Sequence, residues 1–150
     1  ADPNSGKKPT PYTRTLTSTL QRLGKQAVFL GYQPYTKVLD LFARSAIAVV
    51  PSIRNEPFGR TAAETLTAGC ALITSGHGGL AEITGDAGLL VSPVTPEGLA
   101  LALQGLLEDP ETLRAIQQQC LERAPYFLLS TTLQQFDHIR YGLLSQAFGG

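Results

Sequence analysis

The run Ile47-Ala-Val-Val50 followed at once by Pro51 constrains this chain more than any other stretch. Four apolar residues, three of them β-branched, predict a buried strand, and Pro51 cannot donate to a ladder, so the strand must end there. The next residues, Ser52 to Gly59, carry Glu56, Pro57 and Gly59 and read as a loop. Ala62, Ala63 and Leu66 then recur at helical spacing until Gly69 closes the helix. The unit is strand, loop, helix N-terminus. Asp2 to Pro9 reads as a loop, and Thr10-Pro11, Thr95-Pro96 and Asp109-Pro110 read as cap-plus-proline helix starts. Leu99, Leu103 and Leu107 are expected to form the apolar stripe of one helix, and Leu133, Phe136 and Leu143 to face inward on the last. Further strands are predicted at 27–30, 71–74 and 88–91, each separated from the next by helical patterns. That alternation predicts an α/β fold with a Rossmann-like, doubly wound parallel sheet and flanking helices.

In such a fold the junction lies at the carboxyl end of the sheet, where unpaired amides and the helix dipole attract anions such as phosphate. Gly59, having no Cβ, lets a ligand approach the backbone. Two carboxylates flank the junction, Glu56 in the loop and Glu64 one turn into the helix, and helical side chains lean back toward the N-terminus, so both can face one pocket. A carboxylate beside a diphosphate is repelled by it, whereas sugar hydroxyls donate to charged acceptors. The expected ligand is therefore a diphosphate carrying sugars. A purely structural reading competes: Thr61-Ala-Ala-Glu64 fits a capping box, with Thr61 at the cap and Glu64 reaching back to it. It leaves Glu56, Pro57 and Gly59 unexplained.

Glu56-Pro-Phe-Gly-Arg-Thr-Ala-Ala-Glu64 resembles the Glu-x7-Glu motif of retaining glycosyltransferases of the GT-B fold, most closely family 4. Phe29-Leu-Gly-Tyr32, Val50-Pro-Ser52, Gly78-Gly-Leu-Ala-Glu82 and Gly88-Leu-Leu-Val91 stand in the matching order around it, so the likeness covers most of residues 28–110. The resemblance implies a C-terminal, nucleotide-sugar-binding domain, spanning residues 1–150, of an enzyme that moves a hexose from a nucleoside diphosphate sugar to an acceptor. It makes Glu56 the catalytic contact to the donor hexose and Glu64 the contact to the ribose. It places the donor sugar and phosphates against Pro57, Phe58, Gly59, Arg60 and Thr61. It also puts Gly31, Tyr32 and Gln33 near the nucleobase.

The same resemblance implies no cofactor beyond the substrate and no metal, the leaving diphosphate being met by basic groups and amide dipoles. The family's domain begins with two more strands, the first followed by an Arg and a Lys that grip the diphosphate. These are expected to be missing here, together with the N-terminal domain that binds a saccharide or lipid-linked acceptor, so the chain alone is expected to be inactive. In the family's strand order, 3-2-1-4-5-6, strands 1 and 2 stand between 27–30 and 47–50. The expected remedy is a retained piece of chain or self-association through an exposed sheet edge, rather than direct pairing of those two segments.

Composition narrows the alternatives. The 150 residues include 12 basic and 12 acidic side chains and no dense basic run, which argues against nucleic acid as a partner. No apolar run approaches the ~20 residues of a membrane span, and the first residues lack the apolar core of a signal peptide. The expected location is the cytoplasm, with the complete protein able to sit at the inner face of the membrane. The absence of methionine in a chain that starts at Ala1 points to a piece of something longer. Cys70 and Cys120 lack metal-ligand spacing and read as buried, reduced thiols.

Gly76-His-Gly78-Gly-Leu-Ala81 satisfies a loose dinucleotide fingerprint and keeps an NAD-binding oxidoreductase domain in view. Too few residues separate it from the next strand for a full crossover helix, and a tight turn with positive φ is the better reading. His77 and His138 have no second ligand or nucleophile at a recognisable spacing. A noncatalytic nucleotide-binding or interaction module is the remaining alternative.

Overall fold

A computed structural model of the chain describes residues 10–148, so the polar stretch Asp2 to Pro9, expected as a loop, lies outside the described residues. Two compact units divide the chain, residues 1–38 and residues 39–150.

In the first unit, α1 spans Pro11–Leu23. Thr10 caps it by accepting from the Thr13 amide at 3.2 Å, Pro11 occupies the first turn, and Gly24 ends it at φ 54°. This is the Thr-Pro start and glycine stop expected from local chemistry alone. A short 3-10 turn, Gly24–Gln26, follows. The predicted strand at 27–30 does not form. Val28, Phe29 and Leu30 are exposed and irregular, because an extended segment becomes a strand only when a neighbour takes up its amides and carbonyls. They are paired neither with the strand at 47–50 nor with any other among the described residues. The helix α2, Tyr35–Ala43, runs through the boundary between the units.

The second unit holds the sheet. Its strands are β1 Ile47–Val50, β2 Ala71–Thr74 and β3 Leu89–Leu90, all parallel in the order β1-β2-β3. Ile47 stands opposite Ala71 and Val50 opposite Thr74, while Thr74 stands opposite Leu90. β3 is shorter than the expected 88–91, although the Val91 amide still reaches the Thr74 carbonyl at 2.8 Å. The helices are α3 Arg60–Thr67, α4 Gly79–Thr84, α5 Pro96–Glu108, α6 Pro110–Arg123 and α7 Leu129–Phe148. Every residue of β2 is buried, as a central strand covered on both faces requires. Ala62 and Leu66 of α3, Leu80 and Ile83 of α4, Leu106 of α5, and Ile116 and Cys120 of α6 close over it in one core.

Thr95 and Asp109 cap α5 and α6 with Pro in the first turn of each, as the sequence predicts. The Thr112 hydroxyl and amide hold the Asp109 carboxyl below the usual carboxylate range. On α5 the expected stripe of Leu99, Leu103 and Leu107 is corrected at its last position. Leu106 is buried and Leu107 exposed, because steps of four and three follow the 3.6-residue turn more closely than two steps of four. On α7 the inward placement of Leu133, Phe136 and Leu143 is also corrected, since all three are exposed. Cys70 and Cys120 are buried and unpaired by a disulfide, and burial pushes both thiols up.

Arg123, at the end of α6, ties α4 down. Its Nε donates to the Ile83 carbonyl at 2.6 Å, a second nitrogen donates to the Glu82 carbonyl, and the guanidinium lies over Tyr126 and Phe127. These bonds satisfy carbonyls that the helix end leaves open, and charged donors give the larger share of hydrogen-bond stabilisation. Arg123→Ala is expected to lower the unfolding free energy by about 2 kcal/mol, read from the urea midpoint; an unchanged midpoint would remove Arg123 from the account of stability.

Candidate functional site

Parallel strands in register deliver their following loops to one end of the sheet. Val50 and Thr74 are opposite one another, so Pro51 to Gly59 and Ser75 to Gly78 emerge side by side. They pair there. The Gly79 amide donates to the Glu56 carbonyl at 2.7 Å, the Glu56 amide donates to the His77 carbonyl at 3.5 Å, and Glu56 and Gly78 form a parallel bridge.

Glycine is required at this contact for two different reasons. Gly76 and Gly78 have φ 67° and 61°, as expected for the tight turn. A Cβ on Gly78 would stand 2.5 Å from the Glu56 carbonyl oxygen and 2.8 Å from its amide nitrogen. Gly79 has no positive φ, yet a Cβ there would stand 2.6 Å from the Phe58 carbonyl oxygen. The second loop is thus a backrest shaped to the first. The helix after these glycines, α4, has six residues, well short of the crossover helix a dinucleotide unit needs, and it leads directly to β3.

Against this backrest lies a cavity of about 320 Å³ lined by Val50, Glu56, Pro57, Phe58, Gly59, Arg60 and Thr61. It opens at the N-terminus of α3. Gly59, not Thr61, holds the cap position, at φ 91° and ψ 46°, and no side chain caps the helix. The first ladder bond runs from the Ala62 amide to the Gly59 carbonyl at 2.9 Å, so the amides of Arg60 and Thr61 precede the ladder at the positive end of the helix dipole. The capping-box alternative therefore does not form, because the left-handed Gly59 starts the helix earlier and places Thr61 inside it.

Glu56 is half-buried, and one carboxylate oxygen, Oε1, accepts from the Ser52 hydroxyl at 3.1 Å. Ser52 is held in turn through its carbonyl, which lies 3.0 Å from His77 Nδ1. Glu64 does not line the cavity. Its carboxylate lies 3.6 Å from the guanidinium of Arg60, whose side chain is 78% exposed, so the pair contributes little to stability.

The expected site residues thus divide into three groups. Glu56 to Thr61 come together around one cavity, Glu64 lies on the next turn of the same helix, and Gly31, Tyr32 and Gln33 belong to the first unit. Within that unit Gly31 has φ 62°, Tyr32 is 85% exposed and the Gln33 amide donates to the Leu30 carbonyl. Sequence reasoning missed Ser52 and set His77 aside. Ser52 stands in the sequence only as the end of the Val50-Pro-Ser52 marker, four residues before Glu56, and nothing periodic links it to His77. Among the described residues no three of His, Cys, Asp and Glu converge into a group that could hold a metal ion. Nor is any described helix long and apolar enough to cross a membrane.

Comparison with known proteins gives the class. Residues 5–123 match the family Glycosyl transferases group 1, and the chain belongs to that family. It is 43% identical over 84 residues to a glycogen synthase of Mycobacterium tuberculosis, covering 55% of this chain and 20% of that protein. It is 32% identical over 137 residues to the D-inositol 3-phosphate glycosyltransferase of Corynebacterium glutamicum, covering 90% and 32%. The chain therefore spans about a fifth to a third of the length of these relatives.

Among solved structures, a sucrose-phosphate synthase from Thermosynechococcus elongatus superposes with a TM-score of 0.77 at 27% identity, over 95% of this chain and 37% of that one. Anabaena HepE in complex with UDP and glucose superposes with a TM-score of 0.75 at 24% identity, over 87% and 36%, a likeness of fold. The fold is that of the GT-B glycosyltransferases, an α/β arrangement with a parallel sheet between helices.

Proposed function

We propose that these residues form the C-terminal, donor-binding part of a family 4 glycosyltransferase that moves a hexose from a nucleoside diphosphate to an acceptor with retention of configuration. The observation that carries this reading is the cavity at the uncapped N-terminus of α3, with Glu56 on its wall. Fixed amide dipoles at Arg60 and Thr61 meet the charge that develops on the departing diphosphate, and they need no reorganisation as the bond breaks. Glu56 accepts from the hydroxyls of the hexose and orients it. Glu64, one turn on, is assigned the ribose by the Glu-x7-Glu resemblance. The loop Gly31 to Gln33 is assigned the base on the same ground. HepE, of like fold, is described in complex with UDP and glucose, which supports a nucleotide-sugar donor here.

The chemistry assigned to the site calls on no cofactor or metal, and the protein is placed in the cytoplasm, with a saccharide or lipid-linked acceptor held by a separate N-terminal domain. In the complete enzyme, a nucleoside diphosphate hexose should be consumed and the product's anomeric proton should show by NMR the configuration it had in the donor. An inverted product would overturn retention, and no turnover across a panel of such donors would overturn the transferase reading.

The 150 residues alone are expected to bind such a donor weakly and to transfer nothing. Charge-assisted bonds to the diphosphate and a cleft that excludes water come partly from groups outside these 150 residues. Calorimetric titration of the purified chain and a turnover assay check both points. Transfer to an acceptor by the 150-residue chain would contradict the division of labour.

A further inference from the structure

The geometry points to Ser52 as the positioning residue of the Glu56 carboxylate, with His77 holding Ser52 in place; the inference rests on the reading that Glu56 contacts the donor hexose. A carboxylate on a two-carbon arm turns freely unless something fixes it. The Ser52 hydroxyl donates to Oε1 at 3.1 Å, and no other side-chain hydrogen bond among the described residues engages Glu56. One oxygen is thereby occupied and the other, Oε2, keeps its lone pairs for a donor hydroxyl.

Ser52 itself lies in the loop after β1, where no ladder fixes it. Its carbonyl takes the bond from His77 Nδ1 at 3.0 Å. A carbonyl has no proton to give, so Nδ1 carries the hydrogen and donates. The His77 carbonyl in turn accepts from the Glu56 amide. Three bonds close a ring, from the Glu56 carboxylate to the Ser52 hydroxyl, from the Ser52 carbonyl to the His77 ring, and from the His77 carbonyl back to the Glu56 amide. The ring joins the loops after β1 and β2, so the carboxylate's orientation is tied to the backrest that shapes the cavity.

The test is a double-mutant cycle on the complete enzyme, with kcat and donor KM measured for wild type, Ser52→Ala, Glu56→Gln and the double variant. Loss of a bond to a charged group that orients the reacting sugar should lower kcat roughly tenfold in Ser52→Ala with donor KM little changed. Ser52→Thr, which keeps the hydroxyl, should stay within about threefold of wild type. On the Glu56→Gln background Ser52→Ala should cost less than about twofold, since the group it positions is already altered. His77→Asn puts an amide nitrogen where Nδ1 stood and should keep activity that His77→Ala loses.

An equal cost of Ser52→Ala on both backgrounds would overturn the positioning role. So would a loss that Ser52→Thr does not rescue. Equal activities of His77→Asn and His77→Ala would overturn the part assigned to His77. Wild-type kcat in Glu56→Gln is a separate result, which would overturn the donor role of Glu56 and the positioning of it together.

Discussion

Glu56→Gln in the complete enzyme is expected to lower kcat by about 10²-fold or more, while Glu64→Gln mostly raises donor KM. The difference follows from what each carboxylate touches. Glu56 stands on the cavity wall, and a contact to the reacting hexose that strengthens as the glycosidic bond breaks lowers the barrier itself. Glu64 lies off that cavity beside Arg60, and a contact to the ribose is made equally before and during reaction. Binding both states equally well changes KM and leaves kcat alone. Steady-state kinetics with varied donor separate the two. Unchanged parameters in both variants would leave these glutamates with structural roles only.

Among the described glycines, Gly78→Ala is expected to carry the largest cost. The added Cβ would fall 2.5 Å from the Glu56 carbonyl oxygen, and the residue would be held at φ 61°. Both partners are backbone, so relief requires the two loops to part. Unfolding free energy should drop by roughly 2 to 3 kcal/mol from the strained dihedral and the clash. In the complete enzyme kcat should fall about 10²-fold, since a displacement of 1 Å at a reacting group is enough for that. Gly105→Ala supplies the control. It lies within α5, a Cβ there meets nothing within 4 Å, and a helical Gly→Ala change should stabilise by up to about 1 kcal/mol. Wild-type stability and kcat in Gly78→Ala would contradict the backrest.

Much of this architecture was legible because its causes are local. Ile47 to Val50 and Ala71 to Thr74 are strands over the residues that their apolar runs predict, and the sheet they form is parallel as the alternation with helices implies. Thr10-Pro11, Thr95-Pro96 and Asp109-Pro110 each open a helix, since the cap oxygen and the fixed φ of proline act within one turn. What failed depends on partners. Residues 27–30 have strand composition without a described neighbour to pair with, and the apolar stripe of α7 has the right period yet stays exposed.

The site divides along the same line. Contiguous residues, Glu56 to Thr61, were readable from the strand-loop-helix pattern. The start of α3 was misplaced because Thr61 looks like a cap only to a reader who does not know that Gly59 is left-handed. Ser52 and His77 meet across 25 positions of sequence, between two loops brought together by strand register, and no spacing rule marks such a pair. Arg123, which braces the helix behind the Gly78 turn from 40 positions away, was hidden for the same reason.

A crystal structure of the complete enzyme with an intact nucleoside diphosphate hexose tests the central claim most directly. The account predicts the diphosphate at the amides of Arg60 and Thr61, and a hexose hydroxyl within about 2.5 to 3.2 Å of Glu56 Oε2 while Oε1 keeps its bond to Ser52. A donor bound away from the N-terminus of α3, or a Glu56 carboxylate turned out of reach of the sugar, would contradict it.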